Sequence, residues 1–395
     1  MTDICLVNLP VEILYRILDK CNTKTILLSV RRICKRLNKI VHQYDRFELR
    51  LDEYDEKNIN LISNFGLESA IDSLEISPPH RFKRDWELSN RFYKIFQCSR
   101  VRHLTIYFSE NENIHILNNL CLERLISLKI TICGGQTVEM FAHISSILKK
   151  INIEKIEWTY LHYKIKDMPW PIQWKLKYLR IYSCLYNEFI IILNQLPYLT
   201  TFRLIDYVKN ANCMDILSFN SFVSLSLTSL SIGDCSLSME YLKSIISNLH
   251  KLRHLRINFK KKTFQSIDEI IDWEYFIRTE EFFLIQCQFR FSFEMPKTDW
   301  PNLEEFIIPF QKPFWLNEKH WFVTCEYIIK IPAMIILFTI PISYQFHEYG
   351  ETVLGISSNI DTYYLTKRRD GISVNTILDQ VYTRRMEFYL YANWI

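Results

Sequence analysis

The chain has 395 residues, of which 48% are hydrophobic, 14% aromatic and 23% charged, with a formal net charge of +4. That composition can bury a large core and excludes wholesale disorder, while so small a charge neither demands a nucleic-acid partner nor excludes one. The length exceeds one ordinary core and points to two or three domains or to one extended repeat array.

The first forty residues read as helices. Asn8 is placed to cap a helix starting near Pro10, where a missing N–H is harmless, and Ile13, Leu14, Ile17 and Leu18 recur on one helical face. Asn22 or Thr23 can cap a second helix, with Ile26, Leu27, Val30, Ile33, Cys34 and Leu37 as its apolar stripe. Arg31, Arg32, Lys35, Arg36 and Lys39 fill the other side. Residues 1–50 hold ten Lys/Arg against five Asp/Glu, an excess that suits either a solvated helix face or a basic edge turned to a partner. A few short helices make a poor independent core, so this module is expected to gain stability by docking.

From about residue 70 a strand-like phrase of the form L-x-x-L-x-I recurs. Its instances begin at Ile71, Val101, Leu125, Ile153, Leu176, Leu199, Leu227, Leu252 and Leu303. Counted at the fourth position, the first eight lie 30, 24, 28, 23, 23, 28 and 25 residues apart, the signature of a repeat array. Between the phrases, residues 138–150, 189–196 and 239–249 carry apolar residues at helical spacing. Each unit is thus one strand and one helix, and stacked neighbours would bury a continuous core. The expected fold is α/β: a helical segment over residues 1–50, then a leucine-rich-repeat-like solenoid over 51–315 with a parallel concave sheet and convex helices. Residues 316–395, rich in aromatic and β-branched types, read as degenerate repeats or a C-terminal cap.

Alternation turns the leucines and isoleucine of each phrase inward and the residue between the last two outward. The outward set is Glu75, Thr105, Lys129, Glu157, Arg180, Arg203, Ser231 and Arg256, with Tyr107 and Tyr182 following on the same face. Tyr107, Lys129, Arg180, Tyr182, Arg203 and Arg256 suit an acidic or phosphorylated peptide, although any solvated sheet face is mixed and charged.

Other chemistry finds little support. Seven glycines cannot build a GxGxxG loop, and Gly350 and Gly355 have phosphate-loop spacing with Ile356 where the lysine must stand. His250 and His254 lack the acidic residue of a zinc motif, so neither metal nor cofactor is expected. Cys133 before Gly134 and Gly135 reads as a loop, and the Trp158, Trp170 and Trp174 region as packing. The eleven cysteines contain no CxxC, and no apolar leader run precedes Pro10, so a reducing compartment, cytosol or nucleus, is expected. The apolar stretch 327–344 is broken by Lys330, Pro332 and Pro341, and no membrane span is expected.

The segment Leu9-Pro-Val-Glu12-Ile-Leu14-Tyr-Arg-Ile17-Leu18 resembles the opening of an F-box, and Ile26 to Leu37 is similar to its later helix. Leu37 stands where an aromatic residue is usual, Ile26 where an acid is common, and Cys21 where leucine ends the first helix. The resemblance implies docking on the Skp-family adaptor of a cullin–RING ubiquitin ligase. Leu9, Pro10, Ile13, Leu14, Ile17, Val30, Ile33 and Cys34 would form the apolar contact, with Lys35 and Arg36 at its rim. The repeats would then hold a protein substrate and the chain would catalyse nothing itself, with no nucleic-acid or membrane partner. The alternative is a leucine-rich-repeat interaction scaffold outside any ligase.

Overall fold

The structure is a computed structural model. It describes residues 6–50, 70–76, 100–108, 122–132, 138–149, 151–159, 175–205, 208–209, 226–235, 237–259, 268–279, 284–294, 303–329, 334–339, 352–358, 360–369 and 372–378. The chain divides into two compact units, Met1–Tyr182 and Ser183–Ile395.

The first unit opens with a short 3-10 turn, Leu6–Asn8, and helix α1, Val11–Leu18. Pro10, not Asn8, occupies the N-cap, and no side chain caps the helix. Helix α2 covers residues 23–33 and contains a π-type turn at Ile26–Val30. Asn22 caps it by accepting a hydrogen bond from the Thr25 N–H at 2.7 Å. The apolar stripe that the sequence carries through Leu37 does not belong to one helix. Cys34 is fully extended (φ −160°, ψ 165°), so the chain turns there and helix α3 begins, Lys35–Gln43. The Cys34 Sγ accepts from the Leu37 N–H at 3.4 Å and takes the N-cap role. Leu14, Leu18, Ile26, Leu27, Leu37, Ile40 and Val41 form the core of this module, each at most 4% exposed.

Strand β1, Phe47–Arg50, joins that module to a sheet. The Thr23 hydroxyl donates to the Glu48 carbonyl, and the Tyr44 hydroxyl donates to Asp19 at 2.7 Å. Tyr44 stacks edge-on against Phe47 at 5.0 Å. The sheet continues through β2 (Ile71–Ile76), β3 (His103–Phe108), β4 (Ser127–Ile132), β5 (Lys155–Thr159) and β6 (Tyr178–Ile181), each parallel to the last. Helix α4, Val138–Leu148, lies between β4 and β5 in sequence. The register stacks the phrase on itself: Leu74, Leu104, Leu128, Ile156 and Leu179 are successive partners, and all are buried.

The second unit begins with β7 (Cys184–Leu185), which pairs with β9 (Val208–Lys209), and helix α5 (Tyr186–Gln195). Its parallel strands are β8 (Thr201–Leu204), β10 (Ser229–Cys235), β11 (His254–Phe259) and β12 (Gln286–Glu294). Helix α6 (Met239–Ser247) precedes β11 and α7 (Asp268–Thr279) precedes β12. Gly233 is required by packing, because a Cβ there would lie 2.1 Å from the Ile205 carbonyl oxygen.

The ninth phrase is not a strand. Leu303–Ile307 is helix α8, with Glu304 and Glu305 in its first turn and Leu303 and Ile307 buried four apart. The strand in register with β11 is instead Leu284-Ile-Gln-Cys287-Gln-Phe289, the same phrase with Cys and Phe in its apolar places. All three apolar positions are at most 3% exposed.

Beyond β12 the pairing turns antiparallel through β13 (Val323–Ile329), β14 (Met334–Thr339), β15 (Thr352–Ser357), β16 (Ile360–Arg369) and β17 (Ile372–Leu378). The order from β12 is β14, β13, β15, β16, β17. An aromatic cluster packs beneath β12: Trp315, fully buried, lies 5.9 Å from Phe289 and 5.0 Å from Phe310. The buried Glu274 carboxylate accepts from the Trp315 indole at 3.1 Å and from Lys312 at 3.2 Å, which satisfies a charge that would otherwise be costly to bury.

Candidate functional site

Helix α1 has two apolar faces. Leu14 and Leu18 face the module's core, while Ile13 and Ile17, four apart on the other side, are 39% and 36% exposed. Leu6 is 39% exposed and Ile33, at the end of α2, 59%. A buried aliphatic side chain stabilises a fold by about 1.5–3 kcal/mol, and these four leave much of that unrealised. Arg36 links the two parts of this surface. Its guanidinium donates to the Leu9 carbonyl at 2.9 Å, which ties the corner at Cys34 to the entrance of α1.

The structure thus sorts the sequence-derived adaptor set. Pro10, Ile13, Ile17, Ile33, Lys35 and Arg36 are exposed, and Leu9, Val30 and Cys34 are half-buried. Leu14 is 2% exposed and belongs to the core beneath. Leu6 joins the exposed group without having been singled out. Its only sequence signal is an apolar residue three places before Leu9, too short a pattern to assign a face.

On the sheet, the outward residues stand in register. In the first unit the row runs Arg50, Glu75, Thr105, Lys129, Glu157, Arg180. Its charges are paired: Arg50 with Glu75 at 3.4 Å, Arg180 with Glu157 at 3.7 Å, and Lys155, one position back on β5, with Glu157 at 2.9 Å. Lys129 lies 5.9 Å over the ring of Tyr107. Tyr182 falls just past β6 and is half-buried.

In the second unit the corresponding row is Arg203, Ser231, Arg256, Gln288. Arg203 and Arg256 are exposed, and Arg290 adds a third cation opposite Asn258. The sequence reading missed Arg290 because Cys287 and Phe289 disguise the phrase that carries it.

The buried thiols offer no nucleophile. Burial pushes Cys235 and Cys287 up to about 12 from an ordinary 9.0, and raises Cys184 and Cys325 as well. The six cysteines among the described residues form no disulfide. Trp158 is core, 1% exposed, while Cys133, Trp170 and Trp174 lie outside the described residues. Among the described residues, no three His, Cys, Asp or Glu side chains group to hold a metal ion, and no helix is long and apolar enough to cross a membrane.

Comparison with known proteins bears on one end of the chain. Residues 6–49 match the family model of the F-box domain, so the three-helix module with its exposed aliphatic face is an F-box domain. No curated protein matches the chain.

Proposed function

We propose that this chain is the substrate-recognition subunit of a cullin–RING ubiquitin ligase. In that role its F-box domain docks on a Skp-family adaptor, as F-box domains typically do, and its parallel strands hold a protein substrate. The strand–helix units are read as leucine-rich-type repeats forming a solenoid. The chain catalyses no step in this reading. It raises the effective concentration of substrate near the conjugating enzyme, in the cytosol or nucleus.

The observation that carries the reading is the exposed aliphatic set on an F-box domain: Leu6, Ile13, Ile17 and Ile33. Exposed aliphatic side chains on so small a module mark a surface that a partner covers. Leu9, Pro10, Val30 and Cys34 would complete the apolar contact, Lys35 and Arg36 would border it, and Leu14 would support it from below.

Co-expression of the full chain with a Skp-family adaptor tests this. The wild type is expected to co-elute at micromolar affinity or tighter. Ile33→Asp is expected to weaken binding at least about 100-fold, because it buries an unpaired carboxylate in an apolar contact. Its own stability should move by less than about 0.5 kcal/mol, since the site is exposed. A folded wild type that fails to bind the adaptor would leave only the interaction-scaffold reading.

A further inference from the structure

Between Asp19 and Asp45 the chain carries seven Lys/Arg and no Asp or Glu. Helix α3 turns part of that charge outward in order. Leu37, Ile40 and Val41 face the core, while Lys35, Lys39 and His42, spaced i, i+4 and i+7, are exposed along the opposite side and span about 10 Å. The exposed positions of α3 are Lys35, Arg36, Lys39, His42 and Gln43, which hold neither an acid nor an aliphatic side chain. Arg36 is engaged by the Leu9 carbonyl, but Lys35 and Lys39 enter no ion pair among the described residues. The four described acids of the module stand elsewhere. Asp19 takes Tyr44 and Arg46, Asp45 meets Arg46 at 4.0 Å, Glu48 pairs with Arg50 at 2.9 Å, and Glu12 lies in the first turn of α1. Like charges four apart repel, and Lys35 and Arg36 set two cations on the positive end of the helix dipole, with no acid in the first turn. Local choices that oppose the fold in this way concentrate at functional sites.

We propose that the outward side of α3 docks an acidic helix of a partner protein, with carboxylates spaced i, i+4 and i+7. A helix laid along α3 repeats the same rise, so each carboxylate meets Lys35, Lys39 or His42 in turn, as oppositely charged flanking residues pair between coiled-coil strands. Charge complementarity sets the chemistry of the partner. Three outward positions neutralise too few phosphates for stable nucleic-acid binding. A face with no aliphatic side chain has nothing to insert into a lipid surface. The face differs in composition from the exposed set of Leu6, Ile13, Ile17 and Ile33, and the proposal does not rest on the adaptor reading. Lys35 borders both surfaces, while Lys39 and His42 lie beyond the adaptor set.

The test is fluorescence anisotropy with the full chain and a labelled, alanine-rich helical peptide carrying Glu at i, i+4 and i+7. Companion probes replace Glu by Gln, or substitute a single-stranded oligonucleotide, or use vesicles containing phosphatidylserine read by co-sedimentation. The Glu peptide is expected to bind at least about tenfold tighter than the Gln peptide, and to weaken as salt rises. Lys39→Glu should cost about fivefold or more, through one lost pair and one new repulsion. Lys251→Glu, an equal charge change at an exposed position before β11, should cost less than about twofold. If Lys39→Glu misfolds, Lys39→Gln should still cost about threefold. Equal binding of the Glu and Gln peptides, equal loss in Lys251→Glu, or tighter binding of the oligonucleotide or the vesicles would overturn the proposal.

Discussion

The same strand phrase builds two sheet faces that differ in charge. In the first unit, Arg50, Glu75, Lys129, Glu157 and Arg180 mix sign along one row, and Arg50 pairs with Glu75 and Arg180 with Glu157. In the second, Arg203, Ser231, Arg256 and Gln288 occupy the equivalent row with no acid. The inward positions are alike in both, Leu, Ile and Phe buried in register. Hydrophobic burial therefore dictates one half of each phrase and leaves the other half free to carry recognition. A row that pairs its own charges presents little net field to a partner.

The contrast can be broken hardest by removing what holds the second face in place. Trp315→Ala empties the centre of the aromatic cluster under β12 and deprives Glu274 of its indole donor. It should cost about 3–5 kcal/mol in urea unfolding. Gly233→Ala forces a Cβ against the Ile205 carbonyl and is expected to cost about 1–3 kcal/mol by thermal melting, whereas Ser231→Ala should be nearly neutral.

The contrast can also be reduced from the other side. Glu157→Gln takes from Lys155 and Arg180 the carboxylate they share and leaves the first unit's row with more net positive charge. Stability should fall by less than about 1 kcal/mol, because such pairs contribute little at a surface. A larger loss would mean that the pair is held away from solvent.

The effect expected to be smallest near neutral pH comes from the buried thiols. Cys235 and Cys287 sit at about 12 in the fold against 9.0 ordinarily. Their contribution is intact below pH 9 and is lost between pH 9 and 12, as the unfolded chain ionises first. Unfolding titrations at rising pH should show that decline, and maleimide should leave both residues unlabelled in the native protein.

Legibility in the sequence followed the physics of each element. Inward leucines at Leu104, Leu128 and Leu179 repeat because one core demands them, and eight phrases correspond to strands. The ninth misled because Leu303, Phe306 and Ile308 fit a strand template, while Leu303 and Ile307 also fit a helix and Glu304 and Glu305 favour its start. The true partner of β11 was disguised by Cys287 and Phe289, and Arg290 was lost with it. In the F-box domain the apolar pattern was visible, but the sharp turn at Cys34 was not, since an extended cysteine leaves no compositional mark. Nor could periodicity separate Leu14 from Ile13. Both are apolar on a helix whose two faces are both apolar, and only burial tells the core from the surface.

The most direct measurement is assembly of the full chain with a Skp-family adaptor, followed by size exclusion and affinity titration. The expected result is one complex containing both proteins, lost in Ile33→Asp and kept in Arg256→Glu. Failure of the adaptor to join a folded chain, or equal binding by Ile33→Asp, would contradict an F-box domain that turns Leu6, Ile13, Ile17 and Ile33 to the adaptor.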